Sequence, residues 1–245
     1  MPYAFAHPAA VIPVAKILGR RAVPSALAIG SMIPDAWYFV PLLDREHTHH
    51  ALGLLWFCLP AGLIAYAAFH LIFKQPMLAL APRRLAWRLA AWTTPGLPAV
   101  PRLSVVLSLL AGIATHLAWD VFTHAGYLPV LETRVFGGVH LHQVLQHAST
   151  LLGTAFLAWW AWRKLRAAPP KPAARALHGR VRTAVVAAMT ILPAMAFFGV
   201  LSAFDAEAAR LALRAAGVTA FSAFGLVALS FSLAWKRWAA RRGMI

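Results

Sequence analysis

Three residues that can bind a metal ion follow one another at four-residue intervals in an otherwise apolar segment: His116, Asp120 and His124. On an α-helix, residues four apart lie on the same face, so two imidazoles and one carboxylate face a common space. Ionisable groups at membrane depth are costly unless they pair with one another or bind an ion. The spacing therefore indicates either a metal site or a buried His–Asp pair that only ties helices together, and both interpretations stay open at this point.

The composition indicates a membrane protein. Of the 245 residues 61% are hydrophobic and only 12% are charged, about half the charged fraction of an ordinary soluble domain. The formal net charge of +16 comes from basic residues in short segments between apolar runs. Because these residues form no basic face on a folded domain, we expect no binding to nucleic acid. The single cysteine, Cys58, excludes an internal disulfide bond.

The fold predicted from the apolar runs is an all-α membrane helix bundle. A crossing needs about 20 apolar residues, and the sequence predicts six spans together with a short N-terminal helix at 8–19. That helix lies either on the inner surface or as a partial crossing. We divide the chain into a membrane domain at 1–165, a basic cytoplasmic linker at 166–182 and a two-helix scaffold at 183–245. The six predicted spans are 22–43, 51–73, 103–122, 144–162, 183–204 and 215–235.

The distribution of Lys and Arg predicts the orientation in the membrane. These residues concentrate in 74–102, in 163–182 and in the C-terminal tail, which places these segments in the cytoplasm. We expect a bacterial inner-membrane protein whose C-terminus is cytoplasmic.

The histidines and aspartates then gather on the opposite, outward side. His70 and His178 are the two histidines expected on the inner side, and His140 and His142 are interpreted as surface residues or a weak lid. The residues expected to face outward are Asp35, His47, His49, His50, His116, Asp120, His124, His140, His142 and His147.

Imidazole and carboxylate ligands without a thiolate favour Zn²⁺, or Mn²⁺ or Fe²⁺ in a two-ion site. Asp120 is expected either to bridge two ions or to orient His116. An ion with an open position lowers the pKa of a bound water to about 7, which makes hydroxide available for attack on a phosphoryl or acyl centre.

The chain also resembles a known family in the order of its motifs. It is similar to an uncharacterised bacterial integral-membrane family described as a domain of unknown function, which itself resembles inner-membrane metal-dependent hydrolases and, distantly, zinc-dependent phospholipase C. The motifs that carry the resemblance are Met1-Pro2 with His7-Pro8, Pro24-Ser25-Ala26-Leu27, the run from Gly30 to Asp35, Thr48-His49, the run from Thr115 to His124, and Gln146-His147-Ala148-Ser149.

The resemblance implies that His7, Asp35, His49, His116 and Asp120 converge on one or two metal ions. His124 and His147 would be further ligands or supporting groups. It also favours the partial crossing for 8–19, because His7 must meet Asp35. His50 stands where a small hydroxyl residue is expected, so the choice between His49 and His50 stays open.

The function predicted from the sequence is a metal-dependent membrane hydrolase. It would cleave an ester or phosphodiester bond of a lipid or lipid-linked substrate, with Asp120 and His124 as catalytic residues. The alternatives are a metal-ion or proton transporter that uses the same residues, and a structural membrane protein with an inert histidine-rich core.

Overall fold

The computed structural model describes residues 4–39, 45–93, 95–135, 137–171, 177–204 and 208–243. These residues form helices and loops, and their only β-type pairing is an isolated antiparallel bridge between Arg134 and His140. The predicted all-α class is confirmed. The chain packs as two compact units, one of Met1–Tyr66 with Ala99–Arg166 and one of Ala67–Pro98 with Ala167–Ile245.

Nine helices follow in chain order among the described residues. They are α1 (Pro8–Leu18), α2 (Pro24–Gly30), α3 (Arg45–Thr48), α4 (Leu54–Leu80), α5 (Arg83–Leu89), α6 (Arg102–Thr123), α7 (Leu141–Ala167), α8 (Gly179–Leu201) and α9 (Ala209–Arg241). A single turn at Ala51–Gly53 precedes α4, and short 3₁₀ helices lie at Ala4–Ala6, Gly19–Arg21, Ile33–Phe39 and Pro129–Glu132. Within α4, Leu54–Cys58 and Phe69–Phe73 are π-helical.

Four helices in the described part of the chain are long and apolar enough to cross a membrane: α4, α6, α8 and the Leu211–Arg241 portion of α9. This supports a membrane protein, but the predicted count of six spans is wrong. The run 22–43 breaks because α2 ends at Gly30 and a 3₁₀ helix that contains Pro34 follows. The run 144–162 is helical within α7, but Gln146, His147, Ser149 and Thr150 make its first half too polar.

The core of the first unit forms where α2 packs closely on α6. Glycines allow this approach: a Cβ on Gly30 would overlap the carbonyl oxygen of Leu109, and a Cβ on Gly112 would lie 2.8 Å from the Ser31 nitrogen. The Ser108 hydroxyl accepts a hydrogen bond of 3.0 Å from the Val23 N–H at the start of α2. Gly112, which contacts the end of α2, lies one helical turn before His116 on α6. The end of α2 is therefore close to His116. Two apolar clusters complete this core, one of Val23, Ala26, Tyr66, Val105 and Leu109 and one of Ile33, Cys58 and Ile113.

The second unit is built on α8 and α9. Small apolar clusters pack there, one around Trp235 and Ala239 and one around Met189 and Ala228. In the same unit the Lys74 ammonium donates to His70 Nδ1 at 2.8 Å and to the Gly96 carbonyl oxygen at 2.8 Å. The buried lysine in this unit is thus hydrogen-bonded.

Candidate metal centre

Four side chains from three separate segments of the first unit point ligand atoms at one another. Asp35 belongs to the 3₁₀ helix after α2, His49 follows α3, and His116 and Asp120 lie on α6. His49 Nε2 is 3.3 Å from Asp120 Oδ2 and 3.9 Å from Asp35 Oδ1. His116 Nε2 is 3.7 Å from Asp120 Oδ2 and 3.8 Å from Asp35 Oδ1. Two tetrahedral ligands of one zinc ion lie about 3.4 Å apart, so these separations fit the ligands of a single ion.

All four side chains are almost fully buried. Their exposed fractions are 6% for Asp35, 3% for His49, 0% for His116 and 1% for Asp120. Two carboxylates this deep in a protein interior are costly unless a positive charge compensates them. Arg45 Nη2, 2.7 Å from Asp120 Oδ2, supplies one positive charge, and a bound cation would supply the remaining compensation.

The hydrogen bonds on the far sides of the two imidazoles fix their protons. His116 Nδ1 lies 2.8 Å from the Ser31 carbonyl oxygen, which can only accept, so Nδ1 carries the proton. The Thr48 hydroxyl donates to the Arg45 carbonyl oxygen and therefore accepts from His49 Nδ1 at 2.8 Å. In both rings Nε2 is left with a lone pair that faces carboxylate oxygens. Metal-binding histidines characteristically donate their second ring N–H to a carbonyl or hydroxyl in this way.

Several buried polar atoms at this place lack a hydrogen-bond partner among the described residues. Buried side-chain polar atoms in proteins are in large majority hydrogen-bonded, so a concentration of exceptions indicates a place for a ligand. Their donor types, imidazole nitrogen and carboxylate oxygen, fit Zn²⁺, Mn²⁺ or Fe²⁺. The unpartnered atoms are His7 Nδ1 and Nε2, Asp35 Oδ1, His49 Nε2, His116 Nε2, Asp120 Oδ1 and His124 Nε2.

His7 joins the same cluster from the start of α1. Pro8 occupies the first helical position after His7. The imidazole ring of His7 stacks on that of His116, with the ring centroids 3.9 Å apart. Burial lowers the pKa of His7 to about 4, so the ring is neutral and able to bind a metal at neutral pH. We call His7, Asp35, His49, His116 and Asp120 the candidate metal centre.

The candidate metal centre divides into two overlapping groups of ligand atoms. His7, Asp35 and His116 form one group and His49, His116 and Asp120 the other, and within each group the ligand atoms lie within 4.8 Å of one another. His116 belongs to both groups. The arrangement is compatible with one ion or with two, as the sequence also left open.

His124 touches the centre without belonging to either group. It caps the end of α6, with Nδ1 3.3 Å from Asp120 Oδ1 and 3.3 Å from the Asp120 carbonyl oxygen. Burial lowers its pKa to about 4, and Nε2 has no partner among the described residues. It is a neutral imidazole beside a carboxylate of the centre, which is compatible with the predicted catalytic role.

The structure separates the remaining predicted histidines. His50 Nδ1 accepts a hydrogen bond of 3.2 Å from the Gly53 N–H and caps the short turn there, whereas His49 faces Asp120. His147 is exposed on α7 and belongs to neither group of the centre. His140 and His142 lie in a different group with Glu132. Of the two neighbours, His49 is the one that the fold brings to the centre.

Arg45 is the site residue that sequence reasoning missed. Its Nη2 lies 2.7 Å from Asp120 Oδ2, and its guanidinium lies 5.7 Å from the centre of the Tyr127 ring. The signal available was that Arg45 is the one basic residue beside the histidine-rich stretch 46–50.

A cavity of about 470 Å³ adjoins the centre. Arg45, His49 and Tyr127 line it together with Glu46 and His50. Because Arg45 and His49 belong both to the cavity wall and to the contacts around Asp120, a molecule in the cavity would reach the centre directly.

The whole chain was compared with known proteins. A family described as a domain of unknown function, DUF4184, matches residues 1–233. No curated protein and no solved structure matches the chain. The likeness to metal-dependent hydrolases and the bacterial origin thus stay predictions. Since the match spans nearly all of the 245 residues, the chain belongs to the DUF4184 family.

Proposed function

We propose that this membrane protein is a metal-dependent hydrolase that cleaves an ester or phosphodiester bond of a lipid or lipid-linked substrate. The observation that carries the proposal is the buried set of opposed lone pairs, in which His49 and His116 face the carboxylates of Asp35 and Asp120. The proposed cofactor is one or two divalent ions, Zn²⁺ first and Mn²⁺ or Fe²⁺ otherwise.

A divalent ion held by the candidate metal centre would supply hydroxide near neutral pH and polarise the bond under attack. The residues of the chain then have separate tasks. The metal ion would be held by His7, Asp35, His49 and His116. Asp120 fixes the neighbouring groups, since its two oxygens contact Arg45, His49 and His124. The unpartnered Nε2 of His124 is positioned to accept a proton or to donate one.

The charges around Asp120 favour an anionic substrate group. Asp35, Asp120 and Arg45 together carry one net negative charge when both carboxyls are ionised, so one divalent ion changes the sum to one net positive charge. Arg45 presents a planar guanidinium, which matches phosphoryl oxygens in a two-pronged geometry. Within the proposed function we therefore favour a phosphodiester over a neutral carboxylic ester.

A metal or proton transporter is the second candidate, and the positions of the polar residues count against it. Transport through the first unit needs ionisable groups along the length of a span. Between Arg102 and His116, α6 contains none. The same residues in an inert structural role would not require the unpartnered lone pairs.

The proposed location follows from the basic segments. The excess of Lys and Arg in 74–102, 163–182 and the tail favours a bacterial inner-membrane protein with a cytoplasmic C-terminus and an outward-facing site. The bilayer itself would then supply the lipid or lipid-linked substrate.

The test is elemental analysis of the full-length protein, purified in detergent and freed of any affinity tag, together with a lipid hydrolysis screen. We expect stoichiometric metal in the wild type and in His178→Gln, a matched change at an exposed histidine. Hydrolysis should be lost in His116→Gln and Asp120→Asn, and both variants should bind at least one equivalent of metal fewer than the wild type. A wild-type protein that stays metal-free after incubation with Zn²⁺, Mn²⁺ and Fe²⁺ contradicts the proposal.

A further inference from the structure

A second group of metal-binding side chains lies in the loop between α6 and α7. Glu132, His140 and His142 each offer one ligand atom, and these atoms lie within 4.8 Å of one another. The group is separate from the candidate metal centre and shares no residue with it. We call these three residues the loop site.

Backbone hydrogen bonds join the two sides of this loop, and this brings the three side chains close together. Thr133 accepts from the Leu141 N–H at 2.9 Å, and Val135 donates to the Val139 carbonyl oxygen at 2.9 Å. These bonds flank the bridge between Arg134 and His140. Gly137 and Gly138, with φ of 53° and 88°, form the reversal that L side chains rarely adopt. Glu132 is thereby held opposite the first turn of α7.

The side chains are also oriented by hydrogen bonds. Glu132 Oε1 accepts from the Gly126 N–H at 2.9 Å, which leaves Oε2 turned toward the histidines. Oε2 lies 3.9 Å from His140 Nδ1 and 3.8 Å from His142 Nδ1. The two imidazole rings are nearly parallel, with centroids 5.4 Å apart. Two mobile surface histidines are not expected to share such an orientation toward one carboxylate oxygen.

Backbone carbonyl oxygens complete the surroundings of the two Nδ1 atoms. His140 Nδ1 is 2.8 Å from the Glu132 carbonyl oxygen, and His142 Nδ1 is 3.1 Å from the Leu131 carbonyl oxygen. As at His116, each Nδ1 donates to its carbonyl oxygen in the ion-free protein. Each ring can bind an ion through Nδ1 once that contact opens and the proton moves to Nε2, since neutral imidazole carries one proton on either nitrogen. Two imidazoles, one carboxylate and carbonyl oxygens form a donor set that suits a borderline divalent ion.

We infer that the loop site binds one divalent ion of the Zn²⁺ class, independently of the candidate metal centre. Ligands of one zinc ion lie about 3.4 Å apart. To reach this spacing Glu132 Oε2, on a side chain that is 45% exposed, must move inward by a few tenths of an ångström, and the two imidazoles must turn from their carbonyl contacts. Bound metal joins the 3₁₀ helix Pro129–Glu132 to the start of α7 and stiffens the loop between them.

The first test counts bound ions in the full-length, tag-free protein by equilibrium dialysis against Zn²⁺ and elemental analysis. The double change His140→Gln with His142→Gln should bind one equivalent fewer than the wild type, whereas His178→Gln should equal the wild type. Glu132→Gln should weaken that one equivalent at least tenfold. An unchanged number of equivalents in the double variant overturns the inference, whether or not the candidate metal centre is filled.

The second test does not depend on counting. Arg134 lies inside the loop and is exposed, so trypsin can cleave after it. Zn²⁺ should slow this cleavage in the wild type and in His178→Gln, and should have no effect in the double histidine variant. Equal cleavage rates with and without Zn²⁺ in the wild type contradict metal binding at the loop.

Discussion

Asp35 is the residue whose protonation should govern metal binding at the candidate metal centre. Burial, with repulsion from Asp120, raises the pKa of the Asp35 carboxyl to about 7 in the metal-free protein, while Arg45 acts in the opposite direction. A raised carboxyl pKa means that the proton stays on until the pH exceeds that value. Burial keeps His7 and His124 neutral, with pKa values of about 4, so they add no proton near pH 7.

We therefore predict that metal affinity falls as the pH drops below about 7, by about tenfold for each pH unit, because the ion must displace one proton. Above that pH the contribution of Asp35 should be constant. Calorimetric titration with Zn²⁺ in buffers of different ionisation enthalpy measures this directly: near pH 6 the wild type should release about one proton more than Asp35→Asn, and near pH 8 the two should release the same number. Asp35→Asn should bind more weakly without this pH dependence. Equal proton release by the two proteins at both pH values would show that another group titrates.

Arg45 is the residue that we expect to set the substrate preference of the proposed hydrolase. We predict that Arg45→Gln lowers the rate of phosphodiester hydrolysis by about 10²- to 10³-fold, the typical loss on removing one preorganised donor to developing negative charge. Arg45→Lys should recover part of the rate, since it keeps the charge but loses the planar geometry. Steady-state kinetics with an activated phosphodiester and an activated neutral ester compare the two substrate classes.

The control for Arg45 is the metal content of each variant. Both should keep their metal, because Arg45 contacts Asp120 without being a ligand of the centre. If Arg45→Gln slows both substrates equally with its metal intact, the residue does not discriminate between them and the preference for a phosphodiester is wrong.

At the scale of elements, the contact between α2 and α6 sets the geometry of the centre. It places the Ser31 carbonyl oxygen 2.8 Å from His116 Nδ1 and leads the chain into the 3₁₀ helix that carries Asp35. Gly112 lies directly in this contact, where a Cβ would overlap the Leu27 carbonyl oxygen. The separation of the two helices is thus part of the site.

We predict that Gly112→Ala lowers the free energy of unfolding by about 1–3 kcal/mol through overpacking. It should also weaken metal binding, because the helices must move apart and the bond from His116 to Ser31 lengthens. Thermal unfolding in detergent and Zn²⁺ affinity check both effects. Gly199→Ala is the matched control on α8, where nothing lies within 4 Å of the added Cβ, so it should leave both measurements close to wild type.

At the scale of the whole molecule, we predict the path of α7 from its length and its charges. It is 27 residues long, which gives about 40 Å at 1.5 Å per residue and exceeds a hydrocarbon core of about 30 Å. Its polar first half keeps it out of the set of apolar spans, yet it ends in the basic residues Arg163, Lys164 and Arg166. The positive-inside tendency predicts that these residues lie in the cytoplasm, opposite the loop between α6 and α7.

Cysteine labelling with a membrane-impermeant maleimide tests this path. In a Cys58→Ala background, which removes the single native cysteine, Val130→Cys should be labelled in intact spheroplasts and Lys164→Cys only after lysis. Both positions are exposed in the same unit, so access differs only through the membrane. Labelling of both in intact spheroplasts would mean that α7 lies on the outer surface instead of crossing.

The sequence by itself determined the properties that depend on local periodicity and composition. Apolar runs predicted helices and a membrane protein, and the four-residue spacing of His116, Asp120 and His124 placed them on one face of α6. The count of six spans failed because the apolar runs did not register the break that Pro34 and the 3₁₀ helix introduce into 22–43, or the polar first half of α7.

Only the tertiary structure decided which distant residues meet on that face. Spacing along the chain did not bring His7, Asp35 or His49 to that face. The predicted topology only placed Asp35 and His49 on the outward side, and the family resemblance implied that they converge with His7. Nor did spacing indicate the contact of Arg45 with Asp120. It also could not separate His49 from His50 or set His147 apart on the exposed side of α7. The physical reason is that these contacts depend on how closely α2 packs on α6. Glycines permit that close packing, but a glycine in the sequence does not indicate which metal-binding side chains the packing will bring together.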